Sequence, residues 1–227
     1  MDTRDLELLQ LAVRAAQRAR DAGNHPFGAV LASAAGEVLL EAENSVTTEH
    51  DVTGHAELNL VRTASGRFTE AELAETTLYS STEPCAMCAG GIYWSGIGRV
   101  VYALPESRLG EFTGADPENP TMHLSARTVL AAGQRTIEVE GPADLPEAAA
   151  VHEGFWDPNR AEHRGCSQRL SLDYDSRAMR ALVGLALLSA AALLLQVALT
   201  RVFSVAQFYL FAFLVVSLAL LGFGASG

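Results

Sequence analysis

The chain has no lysine; its sixteen basic residues are all arginine, set against 27 acidic residues for a formal net charge of −11. Over residues 1–165 the imbalance is steeper, twelve arginines against 25 acidic residues, a formal charge of −13. Such a surface repels phosphates. Nucleic-acid binders carry a basic stripe and gain affinity by releasing counterions, so the charge argues against RNA or DNA and for a small, weakly charged ligand. Arg14, Arg18 and Arg20 do cluster near the start, on what reads as the solvated face of a helix. No apolar stretch follows Met1: Asp2, Arg4, Asp5 and Glu7 open an amphipathic pattern, which excludes a signal peptide there. Cysteine occurs three times, and two of the three serve best as thiolates, which fits a reducing compartment. Charge itself is scarce at the other end, where residues 181–227 hold only Arg201.

What is present centres on two short runs, His55-Ala56-Glu57 and Pro84-Cys85-Ala86-Met87-Cys88. Together they spell the His-x-Glu … Pro-Cys-x-x-Cys signature of zinc-dependent nucleobase deaminases. One imidazole and two thiolates make a three-ligand zinc site, which keeps its fourth position for water, and Glu57 is a carboxylate beside it. A helix opened by His55 projects the ligand and Glu57 from its first turn toward one point. Pro84 suits the start of a second helix, where its missing N–H costs nothing and the helix dipole stabilises thiolates at Cys85 and Cys88. The chemistry expected is hydrolysis at an amino-bearing ring carbon, with Glu57 moving protons from water to the ring nitrogen and the departing ammonia. A Cys-x-x-Cys also serves as a redox pair or as half of a zinc ribbon. A ribbon needs four ligands, and the only other cysteine, Cys166, follows the apparent end of the domain.

Along the chain, residues 4–22 carry apolar side chains at helical spacing and end at Gly23-Asn24. Residues 27–32 and 37–42 read as a hairpin of two strands. The first metal helix covers 55–66, a strand at 77–81 feeds Pro84, the second metal helix runs through Ile92-Tyr93-Trp94, and 99–103 is the next strand. Pro105 to Pro120 reads as a loop over the pocket, followed by a helix at 123–132, a strand at 136–139 and a helix from Pro146 to Trp156. Strands alternating with helices predict a sheet covered on both faces.

Residues 1–156 resemble the cytidine and deoxycytidylate deaminase-type superfamily, in its bacterial nucleoside, guanine and tRNA-adenosine branch. The resemblance rests on Pro26-Phe27-Gly28-Ala29-Val30, Asn44-Ser45-Val46-Thr47-Thr48, Gly54-His55-Ala56-Glu57, Glu83-Pro84-Cys85-Ala86-Met87-Cys88 and Ile92-Tyr93-Trp94, whose wording is closest to guanine deaminases. It implies an α/β/α sandwich around a five-stranded mixed sheet, a homodimer, zinc on His55, Cys85 and Cys88, and Glu57 as proton shuttle. It also implies substrate contacts from Asn44, Phe27, Ala56 and Glu83. Asn44 alternatively reads as a turn asparagine, and Phe27 as plain core. One departure stands out: similar guanine deaminases carry an acidic residue right after a Gly-Phe pair, whereas here Glu111-Phe112 is followed by Thr113 and Gly114, leaving Glu111 or Asp116 as substitutes. The expected activity is hydrolytic deamination of a free base or nucleoside, foremost a purine such as guanine. The alternatives are tRNA adenosine deamination and a zinc-stabilised, membrane-anchored binding module.

Three segments are expected: a deaminase domain at 1–160, a polar tether at 161–180, and two membrane helices within 181–227. Residues 181–200 and 202–227 are each long enough to cross a ~30 Å bilayer core. Arg160, Arg164, Arg169, Arg177 and Arg180 precede the first, so the positive-inside rule predicts a two-pass protein of the bacterial plasma membrane with the catalytic domain in the cytoplasm. The wording of 193–201 and 211–217 resembles the first membrane helices of spermidine synthase-like membrane proteins, without that family's catalytic domain.

Overall fold

A computed structural model of the chain describes the backbone of residues 1–157 and 161–224 apart from Ala115, Pro117, Glu118 and Thr121, and the side chains of these except 161–182 and 222–224. It falls into two compact units, Met1–Cys166 and Ser167–Gly227.

In the first unit the elements are α1 (Thr3–Asp21), β1 (Gly28–Ala32), β2 (Val38–Glu43), α2 (Val46–Glu49), α3 (Ala56–Ser65), α4 (Glu70–Ala74), β3 (Thr77–Thr82), α5 (Ala86–Ser95), β4 (Arg99–Leu104), α6 (Glu106–Thr113), α7 (Ala126–Ala131), β5 (Glu138–Glu140) and α8 (Pro146–Ala150). Five strands form one mixed sheet in the order β2-β1-β3-β4-β5, antiparallel from β2 through β3 and parallel from β3 through β5. Alternate residues of each strand face opposite sides, and both sides are buried. Ala29, Leu31, Leu78 and Val100 pack with Leu60 and Val61 of α3, Ala89 and Ile92 of α5 and Leu130 of α7. Val30, Ala32, Tyr79, Val101 and Ala103 pack on the other face with Leu8, Leu9 and Ala12 of α1 and Ala148 of α8. The expected three layers and five strands are therefore present.

Two close approaches fix the layers. A Cβ on Gly28 would lie 2.3 Å from the Ala12 carbonyl oxygen, so α1 rests directly on β1. At Gly91 the end of the Leu58 side chain of α3 occupies the space a Cβ would take, so Leu58 packs directly onto the backbone of α5. Helix α1 is capped by a reciprocal pair in which Asp2 and Asp5 each accept the other's backbone N–H. Asp5 also accepts from Tyr79 Oη at 2.8 Å and from both Arg99 terminal nitrogens at 2.8 and 2.9 Å, and the guanidinium holds its carboxyl well below the usual carboxylate range.

Several elements depart from the expectations. Residues 106–113 are helix α6 where a loop was expected: Leu109 and Thr113 are buried one turn apart, and Gly114 ends the run. The helix expected at 123–132 shortens to Ala126–Ala131, because Ser125 caps it by accepting the Thr128 N–H. Helix α8 stops at Ala150, before the expected Trp156. The short helices α2 and α4 were not foreseen, although Thr69-x-x-Glu72 forms a reciprocal cap that the spacing announces.

The second unit belongs to helix α9 (Ala161–Gly224). Residues 161–180, expected as a tether, lie within it, and the boundary expected at 160 falls outside the described residues. The helix runs unbroken through Thr200, Arg201 and Val202, where a helical hairpin was expected, so one helix stands where two were expected. No proline or glycine lies between Leu185 and Leu221 to break it, and Thr200 Oγ1 donates back to the Gln196 carbonyl at 2.8 Å, a bond that helix geometry accommodates. One stretch, Val183–Leu221, is long and apolar enough to cross a membrane.

Candidate active site

The start of β1, the end of β3 and the starts of α3 and α5 converge on one point. His55 is the N-cap of α3 and Cys85 the N-cap of α5, both in extended backbone, which turns their side chains inward from the first turns. His55 Nδ1 lies 3.6 Å from Cys85 Sγ and 3.5 Å from Cys88 Sγ, and the three ligand atoms fall within 4.8 Å of one another. A tetrahedral zinc with bonds of ~2.3 Å to sulfur and ~2.05 Å to nitrogen separates those ligand atoms by about 3.6 Å. The donor set and its spacing thus fit zinc.

Glu57, in the first turn of α3, is buried beside this cluster. Its Oε1 accepts from Ser80 Oγ of β3 at 2.9 Å, and its Oε2 lies 3.5 Å from Cys88 Sγ. Burial pushes its pKa up from the ordinary carboxylate value, which favours a proton on it. The hydrogen bond from Cys88 chiefly lowers Cys85, to about 4, whereas the same bond together with burial raises Cys88. A coordinating cation removes the proton from a thiol in Cys88's position.

A cavity of about 430 Å³ opens over the cluster, within the ~300–1,000 Å³ range of small-molecule sites. His55, Glu57 and Cys85 form its floor, with Phe27, Ala86, Glu83 and Glu106 among the wall residues and Asn119 and Met122 also lining it. Asn44 is buried just past β2. Its Oδ1 accepts the Val46 N–H at 3.1 Å, as in an Asx turn, yet its Nδ2 has no partner among the described residues. An orphaned buried donor is costly, and Asn44 is not itself among the cavity-lining residues. Ala56 is buried at the first helical position of α3 and is not among the cavity-lining residues. Glu111 is exposed and ion-paired to Arg108, and neither it nor Asp116 lines the cavity. Phe27 meets His25, His152 and Trp156 at ring-centroid distances of 6.4, 5.3 and 6.2 Å, a cluster that the sequence pattern did not bring together.

Glu83, expected as a substrate contact, lines the cavity and also holds backbone. Its Oε2 accepts the Glu106 N–H at 3.1 Å and its Oε1 the Ala126 N–H at 3.0 Å, so both oxygens are committed to backbone. Through them the starts of α6 and α7 are fastened to the residue two before the first cysteine. Glu83→Ala leaves two amides unpaired at ~1–3 kcal/mol each. We expect the melting temperature of the zinc-loaded protein to fall by roughly 5–10 °C, with Glu83→Gln intermediate; an unchanged value contradicts the clamp.

His152, 1 % exposed, stacks on Trp156 and accepts its indole N–H at Nδ1, 3.2 Å away, leaving Nε2 3.5 Å from Thr82 Oγ1. Burial holds its pKa down to about 3. The unfolded imidazole titrates near ~6.5, so the unfolded state binds the extra proton between those values. The stability contributed by neutral His152 is complete above about pH 6.5 and lost as pH falls toward 3, by up to ~1.4 kcal/mol per pH unit. Urea unfolding between pH 6 and 4 should show a shallower pH slope in His152→Phe; equal slopes contradict this assignment.

A three-ligand zinc centre with a buried carboxylate beside it, set at helix starts over a mixed sheet, defines a hydrolase that activates water. Residues 2–104 match the zinc-binding region of cytidine and deoxycytidylate deaminases. A Schizosaccharomyces pombe protein described as a probable cytosine deaminase is 41% identical over 160 residues, covering 70% of this chain and 97% of that one. The guanine deaminase of Bacillus subtilis is also 41% identical, over 86 residues that span 38% of this chain and only 54% of the enzyme. A solved structure from studies of A-to-I editing by tRNA:A34 deaminases aligns with a TM-score of 0.52 at 26% identity, covering 64% of this chain and 99% of that one. The chain belongs to the cytidine and deoxycytidylate deaminase family. It is a zinc enzyme of the hydrolytic kind that acts on nucleobases or nucleosides.

Proposed function

We propose that the chain deaminates a free nucleobase, cytosine first and guanine second. The observation that carries the order is the reach of the S. pombe match. Any 160-residue stretch of a 227-residue chain includes residues 68–160, so this match takes in Glu106, Leu109, Asn119 and Met122 of the cavity wall. An 86-residue match is not bound to include any of them. Guanine stands second because the sequence wording favours it, while of the two side chains expected to read its amidine edge, Glu111 is turned to Arg108 and neither it nor Asp116 lines the cavity. The acidic surface argues against tRNA, whose binding depends on phosphate contacts.

Bound by His55, Cys85 and Cys88, zinc supplies a Lewis acid that makes water nucleophilic near neutral pH. Glu57 takes the proton of the attacking water, held in place by the Ser80 hydroxyl. Its raised pKa lets it hold that proton until the ring nitrogen takes it; the second proton of the water, left on the hydroxyl of the attacked carbon, then passes through Glu57 to the departing amine, which leaves as ammonia while the carbonyl forms. Asn44, whose Nδ2 has no partner among the described residues, is the donor this reading assigns to a carbonyl of the ring, with its side chain behind the cavity-lining residues, and Phe27 supplies an apolar wall. Ammonia release from cytosine, guanine, cytidine, guanosine, adenosine and a tRNA anticodon stem tests the reading. Turnover of the free bases is expected; inosine formed in the RNA alone contradicts it.

The tail completes the proposal. Val183–Leu221 is 39 residues, about 58 Å of helix at 1.5 Å per residue, where ~20 residues suffice to span a bilayer. Its apolar side chains, among them Leu187, Phe203, Phe211 and Leu214, are exposed. The full chain should stay with membranes through a carbonate wash; a monodisperse chain without detergent contradicts membrane attachment.

A further inference from the structure

Among the described residues three carboxylates line the cavity, and two have their oxygens engaged: Glu57 by Ser80 and Cys88, Glu83 by the backbone of Glu106 and Ala126. Glu106 is the exception. Its backbone N–H is pinned by Glu83 at 3.1 Å, which fixes where its side chain leaves the wall, but no donor or cation among the described residues meets its carboxylate. The groups that act on it are unfavourable ones, its own burial and the like charges of Cys85, Glu83 and Glu57, which push its pKa up to about 7. A half-buried carboxylate held against like charges with open lone pairs is complementary to an N–H donor supplied by a ligand.

Free bases carry such a donor where nucleosides do not. The ring nitrogen that bears the sugar in a nucleoside is N–H in the base: N1 of cytosine, N9 of guanine. We propose that Glu106 accepts this ring N–H and thereby selects free bases over nucleosides. Replacing the hydrogen by a sugar removes the donor and sets carbon against an acceptor that has no other partner, the kind of mismatch by which a polar site rejects an analogue most strongly. This inference rests on the reading of the enzyme as a base deaminase.

The test uses the full, zinc-loaded chain, with zinc content and melting temperature as controls for folding. Whichever of cytosine and guanine the wild type turns over is paired with 1-methylcytosine or 9-methylguanine, and kcat and KM are measured for both. The wild type should strongly prefer the unmethylated base. Glu106→Gln and Glu106→Ala should lose about ten- to a hundredfold in kcat/KM on the base, mostly through KM, the fold-change one charge-assisted hydrogen bond carries. They should change far less on the methylated analogue, so the preference narrows. If base and analogue fall together, or neither falls, Glu106 does not read this N–H although the enzyme remains a base deaminase. If the wild type prefers a nucleoside or turns over no base, the functional reading fails and this inference with it.

Discussion

Glu57→Gln should retain about one zinc per chain and lose at least ~10²–10⁴-fold in ammonia release, the range for removal of a general acid/base. The prediction separates proton transfer from metal binding, because Glu57 stands beside the ligand cluster without belonging to it. Its Oε1 accepts the Ser80 hydroxyl, a bond that a glutamine carbonyl oxygen can also accept, so the variant keeps the side chain's position while losing its ability to hold a proton. Metal analysis and initial rates on the same preparation provide the check. A variant that keeps activity within tenfold of wild type would remove Glu57 from the chemistry, and one that loses its zinc would make it a structural support of the site.

Cys88→Ala is the second large effect. It leaves His55 and Cys85 as the only two ligands of the cluster, in a site whose atoms are spaced for three. Zinc content should drop to near zero and turnover with it. Because metal binding free energy adds to the stability of the fold that organises the site, a chelator should lower the melting temperature of the wild type and leave that of Cys88→Ala unmoved. Equal chelator sensitivity in the two proteins would show that the metal is held elsewhere. Cys88 is the stricter test than Cys85, since it is the more buried of the pair and has Glu57 Oε2 as its neighbour.

The metal cluster was legible in the sequence because its parts are local. His55 and Glu57 lie two apart, Cys85 and Cys88 three apart, and each pair sits at a helix start marked by its own neighbours. The sheet was equally legible, since the strands at 28–32 and 99–104 are short, mostly apolar runs between turns and the one at 77–82 leads directly into Pro84. What could not be read depends on pairs far apart in the chain. Glu83 reads as part of a metal motif, and only the fold brings Glu106 and Ala126 to its two oxygens. The aromatic cluster joins Phe27 to His152 and Trp156 across more than 120 positions. Residues 106–113 read as a loop on composition, whereas in the fold they form a helix that buries Leu109 and Thr113. At the tail, two apolar runs separated by one arginine suggested two helices, but a single charge does not break a helix that has no proline or glycine there.

The central claim is that one zinc, held by His55, Cys85 and Cys88 beside Glu57, carries hydrolytic deamination of a free base. Titrating zinc into the chelated full chain while following ammonia release from cytosine and guanine tests it most directly. Activity should be absent from the metal-free chain, rise in proportion to added zinc and level off at one equivalent. Ammonia released before any zinc is added, or a fully loaded chain that releases none from either base, would contradict it.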